Sequence, residues 1–151
     1  MNSGPKIAAG FTMIEVMIVC VIVGILAAIA LPSYWKYVQR SKIIQATTGL
    51  SDLRQRMEQK FLDTRTYDDT AAPTCSSIAT TVGAKLNAFT LACSNIAAST
   101  YTLQATGVAG TGMDGAVYQI DQTGLEQTIA GPPGYPTSAT CWVTRSDGTC
   151  G

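Results

Sequence analysis

Residues 11–31, FTMIEVMIVCVIVGILAAIAL, form an apolar run in which Glu15 is the only charge. As a helix rising about 1.5 Å per residue, the run extends roughly 30 Å, enough to cross the hydrocarbon core of a bilayer. The chain has 151 residues, room for one domain with a modest core. Charged residues are only 13% of it, about half the usual share, and much of the deficit lies in this run. Ten basic residues balance ten acidic ones, so nothing global points to nucleic acid or to an acidic substrate.

Three uses compete for such a run. It could be a plain membrane anchor, or a secretory signal cut after Ala28-Ile29-Ala30, which satisfies a small-x-small rule. The third is a segment cut at its start and kept. Glu15 decides between them. An acid inside a spanning helix costs about 2.5–3.5 kcal/mol near the bilayer centre, and less near its end. An anchor or a signal gains nothing from that penalty. A subunit that leaves the bilayer for a filament can use the carboxylate if a cation becomes its partner. Cleavage after Gly10 supplies one, the α-amine of Phe11 on a neighbouring helix, and the pair would set the axial stagger between subunits. Removing one member of a buried pair of this kind costs about 3–5 kcal/mol.

Residues 1–10, MNSGPKIAAG, read as a short leader. Beyond the apolar run, Pro32 lacks a backbone donor and is expected to bend the helix or break it locally. Helical periodicity then resumes over residues 32–63: Ile43, Ala46, Leu50, Leu53, Met57 and Phe61 recur at three- and four-residue spacing, with charges on the other faces. One side of this half should pack on a folded head. Together the two halves make a helix of around fifty residues, about 75 Å if continuous, far longer than a globular domain normally uses.

From Thr64 the composition turns to Thr, Ser, Ala and Gly with short strand-like runs. Residues 100–105 alternate so that Tyr101, Leu103 and Ala105 face one way; Val117–Asp121 and Leu125–Ile129 flank a turn on Gln122-Thr123-Gly124; Cys141-Trp142-Val143 offers one more strand. The fold class is therefore α+β: a long transmembrane and amphipathic helix packed on a small antiparallel sheet of about four strands, residues 64–151. Cys75, Cys93, Cys141 and Cys150 lie in this head, an even number that implies two disulfides formed outside the cytoplasm. Four cysteines allow three pairings. Cys75–Cys93 with Cys141–Cys150 is favoured because each closes a short loop. A zinc site is the rival, but no CxxC spacing and no histidine support it. Cys20 reads as a small apolar residue in the helix.

The residues Gly10-Phe11-Thr12-Met13-Ile14-Glu15, followed by VMIVCVIVGILAAIALPSY, closely resemble the N-terminus of type IV pilins. The resemblance implies that a prepilin peptidase cuts after Gly10 and methylates the new N-terminus at Phe11, and that Phe11 and Glu15 direct assembly. It also implies that the stretch from Gly24 to Pro32 can lose helicity in a filament. The spacing Cys141…Cys150 resembles the disulfide-bounded loop of pilins. Residues 57–69, MEQKFLDTRTYDD, with YTLQATG and CWVTRSDGTC, look like the smaller PilE-like minor pilins. The leader departs from the family: Lys6 is its only basic residue, and Ala9 stands where Lys or Arg is usual. Lys36, Arg40 and Lys42 make the downstream flank more basic, so a positive-inside count opposes the orientation that the cysteines and Glu15 require.

No enzyme reading survives: there is no histidine, no Gly-x-Ser-x-Gly and no P-loop, and GVAGTG at residues 107–112 lacks the following Lys-Ser/Thr. No cofactor or metal is expected; Asp68 and Asp69 read as a solvated loop. From Thr64 onward Arg65, Lys85 and Arg145 face six acids, so DNA binding is not expected. The resemblance implies a structural subunit, a minor pilin, held in the bacterial inner membrane with its C-terminus outside the cytoplasm, then built into an extracellular pilus for adhesion, twitching motility or DNA uptake. Its partners would be other pilin subunits, prepilin peptidase and the inner-membrane assembly machinery. The rivals are a pseudopilin of a type II secretion system and a secreted soluble binding module.

Overall fold

A computed structural model describes residues 11–151. It divides into two compact units, one ending at Tyr37 and the other Val38–Gly151. Helix α1, Met13–Thr64, is assigned across that boundary with Pro32 inside it. Of the bend or local break expected at Pro32, the break is absent. A proline removes one hydrogen bond, to the carbonyl four residues back, while the i→i−4 bonds on either side persist and carry the helix through.

In the first unit, side chains from Phe11 to Tyr37 are exposed almost without interruption. In the second, the periodicity read from the sequence becomes a buried stripe. Ile43, Ala46, Leu50, Leu53 and Met57 are fully buried, while Phe61 packs at the edge of the core. Burying a side chain of this size is worth about 1.5–3 kcal/mol, so the stripe holds this half of α1 to the head. The helix stops where Arg65 turns to φ 61°, its N–H still donating to Phe61 O at 2.8 Å. Thr64 Oγ1 donates back to Lys60 O at 2.8 Å, a side-chain bond across the last turn.

Four strands form one antiparallel sheet in the order β1 (Phe89–Ser94), β2 (Thr102–Gly107), β3 (Val117–Asp121), β4 (Glu126–Ala130). Tyr101, Leu103, Ala105, Tyr118 and Ile120 point to the core; Gln104, Gln119 and Gln127 share one register row on the opposite face. The turn between β3 and β4 places Gly124 at φ +83°, and the Arg54 guanidinium lies so close that a Cβ there would stand 3.1 Å from its Nη2. Two elements differ from the sequence reading. Residues 75–83 form a helix, α2 (Cys75–Gly83), capped by Thr74 Oγ1 accepting from Ser77 N at 3.2 Å. Cys141-Trp142-Val143 is not a strand, and β1 takes its place as the fourth. That segment instead folds onto itself, with one bridge between Val143 and Cys150 and the Gly151 N–H donating to Trp142 O at 3.1 Å.

Candidate functional site

The N-terminus of α1 is built by local chemistry. Thr12 caps it: its hydroxyl accepts from Glu15 N and its carbonyl from Val16 N, each at 3.3 Å. Thr12-Met-Ile-Glu15 has capping-box spacing, and the carboxylate sits in the first turn, where the helix dipole favours an anion. Phe11 is 82% exposed and Glu15 is exposed. Among the described residues no cation lies within ion-pairing distance of Glu15. Gly10, the expected cleavage residue, lies outside the described residues, while Gly24 and Pro32 both lie within the helix. The most apolar window of α1 is long and apolar enough to cross a membrane, and none of it is buried.

In the head, the α1 end and the following loop are locked by two polar knots. The first is Lys60, whose side chain is fully buried; its Nζ donates to Asp68 O at 2.5 Å, Tyr67 O at 3.5 Å and Asp69 Oδ1 at 3.3 Å. Asp69 Oδ1 also accepts from Cys75 N at 2.7 Å, which ties the loop to the start of α2. The second is Glu58, which accepts from Tyr67 OH at 2.9 Å and from Tyr101 OH at 2.6 Å. Burial, and then the nearby Glu58 carboxylate, push the Tyr67 phenol up to about 12; the same causes raise Tyr101. Phe61 stacks on Tyr67 at 4.6 Å and Tyr67 meets Tyr101 edge-on at 4.7 Å. An open cleft of about 360 Å³ flanks this corner, lined by Arg56, Asp63, Pro73, Ser77 and Thr81 among others.

Disulfides join Cys75 to Cys93, linking α2 to β1, and Cys141 to Cys150, closing the C-terminal loop; Cys20 is free. Asp68 keeps its carboxyl below the usual range because Thr70 donates to it through hydroxyl and backbone. It is a turn-former, as its solvated loop position suggests. No group of three or more His, Cys, Asp or Glu able to hold a metal occurs among the described residues. The Lys60 and Glu58 knots were not visible in the sequence. Only the spacing of Lys60, three residues after Met57 on the periodic stripe, could have signalled the first.

A helix that is apolar and exposed in its first part, acidic in its first turn, and packed on a four-stranded antiparallel sheet in its second defines a pilin-type subunit. Comparison with known proteins agrees. Residues 32–115 match the family model described as "Type IV minor pilin ComP, DNA uptake sequence receptor", and residues 5–31 match the prokaryotic N-terminal methylation motif. A fimbrial protein of Pseudomonas aeruginosa is 41% identical over 68 residues, 45% of this chain and 44% of that one. The type IV major fimbrial protein FimA of Dichelobacter nodosus is 43% identical over 60 residues, 40% of this chain and 38% of that one. The fimbrial protein EcpC of Eikenella corrodens is 37% identical over 107 residues, 69% of this chain and 68% of that one. The aligned region thus spans less than half the length of the first two relatives. No solved structure matches the chain. The chain belongs to the type IV minor pilin family.

Proposed function

We propose that this chain is a structural subunit of a type IV pilus, a minor pilin stored in the inner membrane and then assembled into an extracellular filament. The observation that carries the reading is the exposed apolar part of α1 with a single acid, Glu15, in its first turn. Residues 1–10 act as leader, prepilin peptidase cuts between Gly10 and Phe11, and Phe11 becomes the methylated terminus. Residues 11–31 serve first as membrane span and then as filament core, where Glu15 takes the α-amine of a neighbouring Phe11. Residues 32–63 carry the head, residues 64–151, on the outside of the cytoplasm. The role is mechanical, with no reaction assigned.

Intact-mass measurement and N-terminal sequencing of the chain from sheared filaments test this. The expected chain starts at N-methylated Phe11, and Glu15→Ala should keep membrane insertion while its incorporation into filaments falls. A chain starting at Leu31 would overturn the reading.

A second reading comes from the family's description as a DNA uptake receptor. The head from Thr64 carries Arg65, Lys85 and Arg145 against six acids, so phosphate contacts would also have to draw on α1, where Arg56 is exposed beside the cleft. Binding through so few cations would be weak and only shallowly salt-dependent, because the salt slope scales with the number of phosphates neutralised. A mobility shift with the full chain in detergent decides it: no shift at low salt ends the DNA reading and leaves the filament reading untouched.

A further inference from the structure

The apolar part of α1 does not end at a charge. After Leu31 come Pro32 and Ser33, and then Tyr34, Trp35, Lys36 and Tyr37, all exposed and all in the first unit. The three aromatic side chains are 62%, 63% and 73% exposed, and the Tyr34 and Trp35 rings meet edge-on at 6.3 Å. Lys36 is the first charge after Glu15, so the residues between them are uncharged throughout.

Position along the helix gives this cluster a meaning. At about 1.5 Å per residue, Tyr34 lies roughly 4.5 Å, Trp35 roughly 6 Å and Tyr37 roughly 9 Å beyond Leu31. The headgroup layer beyond each face of the hydrocarbon core is about 5–8 Å thick. Tyrosine and tryptophan suit that layer, because the ring body prefers apolar surroundings while the O–H or N–H needs a polar partner. An ammonium at the same height meets anionic lipid phosphates.

We infer that Tyr34, Trp35 and Lys36, with Tyr37 at the outer edge, form a lipid-headgroup collar that fixes the height of the stored subunit in the outer leaflet. The inference rests on the reading of α1 as a membrane span and adds to it the surface that sets its depth. Before assembly the collar holds the apolar segment centred, with Glu15 near the opposite face.

The test uses the full chain in vesicles of phosphatidylcholine and phosphatidylglycerol in equal amounts. Two probes separate the collar from the span. Cys20 is the free thiol, exposed within the apolar run, so a polarity-sensitive label placed there reports insertion. Trp35 fluorescence, taken as the difference between the natural chain and Trp35→Phe, reports the collar and leaves buried Trp142 untouched. Lipids brominated near the carbonyl end or near the methyl end of the acyl chain measure its depth. The expected result is a Cys20 label in apolar surroundings and Trp35 quenched several-fold more by the shallow bromines. With Cys20 equally apolar, a Trp35 that is unquenched, or quenched more by the deep bromines, overturns the collar while the span stands. A Cys20 label in water overturns the span, and the collar falls with it.

Discussion

Replacing Lys60 by Met keeps the apolar stem and removes only the ammonium. The side chain is fully buried, so its three acceptors lose their donor in a place that water does not reach easily. The carbonyl of Asp68, bonded at 2.5 Å, is the main loss; that of Tyr67, at 3.5 Å, counts for little. An unsatisfied buried acceptor costs about 1–3 kcal/mol. Breaking a fully buried ion pair costs about 3–5 kcal/mol, but that figure is too large here. Asp69 is 35% exposed and keeps the Cys75 N–H, so its carboxylate remains solvated and bonded. Removing the ammonium also relieves its own desolvation. The net destabilisation should be about 2–3 kcal/mol, which at a urea slope near 1.5 kcal/mol per molar moves the midpoint down by about 1.3–2 M. Urea unfolding of the full chain in detergent, followed by the near-ultraviolet circular dichroism of the head aromatics, measures it. Arg56→Gln is the control, because its pair with Asp52 is nearly half exposed on both sides and should change stability by less than about 0.5 kcal/mol. A Lys60→Met chain as stable as that control would refute the assignment of Lys60 as the tie of this corner.

The tyrosines give a pH dependence. The folded-state pKa of Tyr67 is raised from 10.0 to about 12, so its contribution to stability is complete below pH 10 and is lost as pH rises through about 12. Tyrosinate absorbance of the natural chain against Tyr67→Phe should place this phenol near 12, and an ordinary titration near 10 would contradict its burial beside Glu58. The disulfides rank by loop length. Cys75→Ser with Cys93→Ser opens a separation of 18 residues, and Cys141→Ser with Cys150→Ser one of 9. Loop closure assigns about 3 kcal/mol to the longer and about 2.5 kcal/mol to the shorter. Urea midpoints in the reversed order would mean that contacts outside the loops dominate.

Where the sequence carried a period, it carried the fold. The three- and four-residue recurrence from Ile43 to Phe61 marks the buried stripe of α1, and the alternation at Tyr101, Leu103 and Ala105 marks the core face of β2. The acid at Glu15 and the apolar run around it were equally plain. Helix α2 was not, because CSSIATTVG is Ser-, Thr- and β-branched-rich and weak in helix propensity; its cap and its packing against β1 hold it instead. Strand β1 was hidden in FTLACS, where a tolerant mix of small and polar residues gives little alternation. The Cys141-Trp142-Val143 run carries strand-like residues, yet its chain doubles back to bond Thr144 N to Thr149 O at 3.0 Å. The polar knots were beyond reach for a different reason. Glu58 and Tyr101 stand 43 residues apart, and only the docking of α1 on the sheet brings them together.

The order β1-β2-β3-β4 follows the chain, each strand pairing with the next, and both disulfides join cysteines that are neighbours among the head's four. Such a meander needs few long loop closures before its contacts begin to reward it. Each thiol finds its partner among the first residues able to reach it, so oxidation in order of emergence produces the native pairs without reshuffling. The demanding closure is the return of the sheet onto Ile43–Met57. A head of this design can therefore finish its covalent maturation while the stripe on α1 is still open.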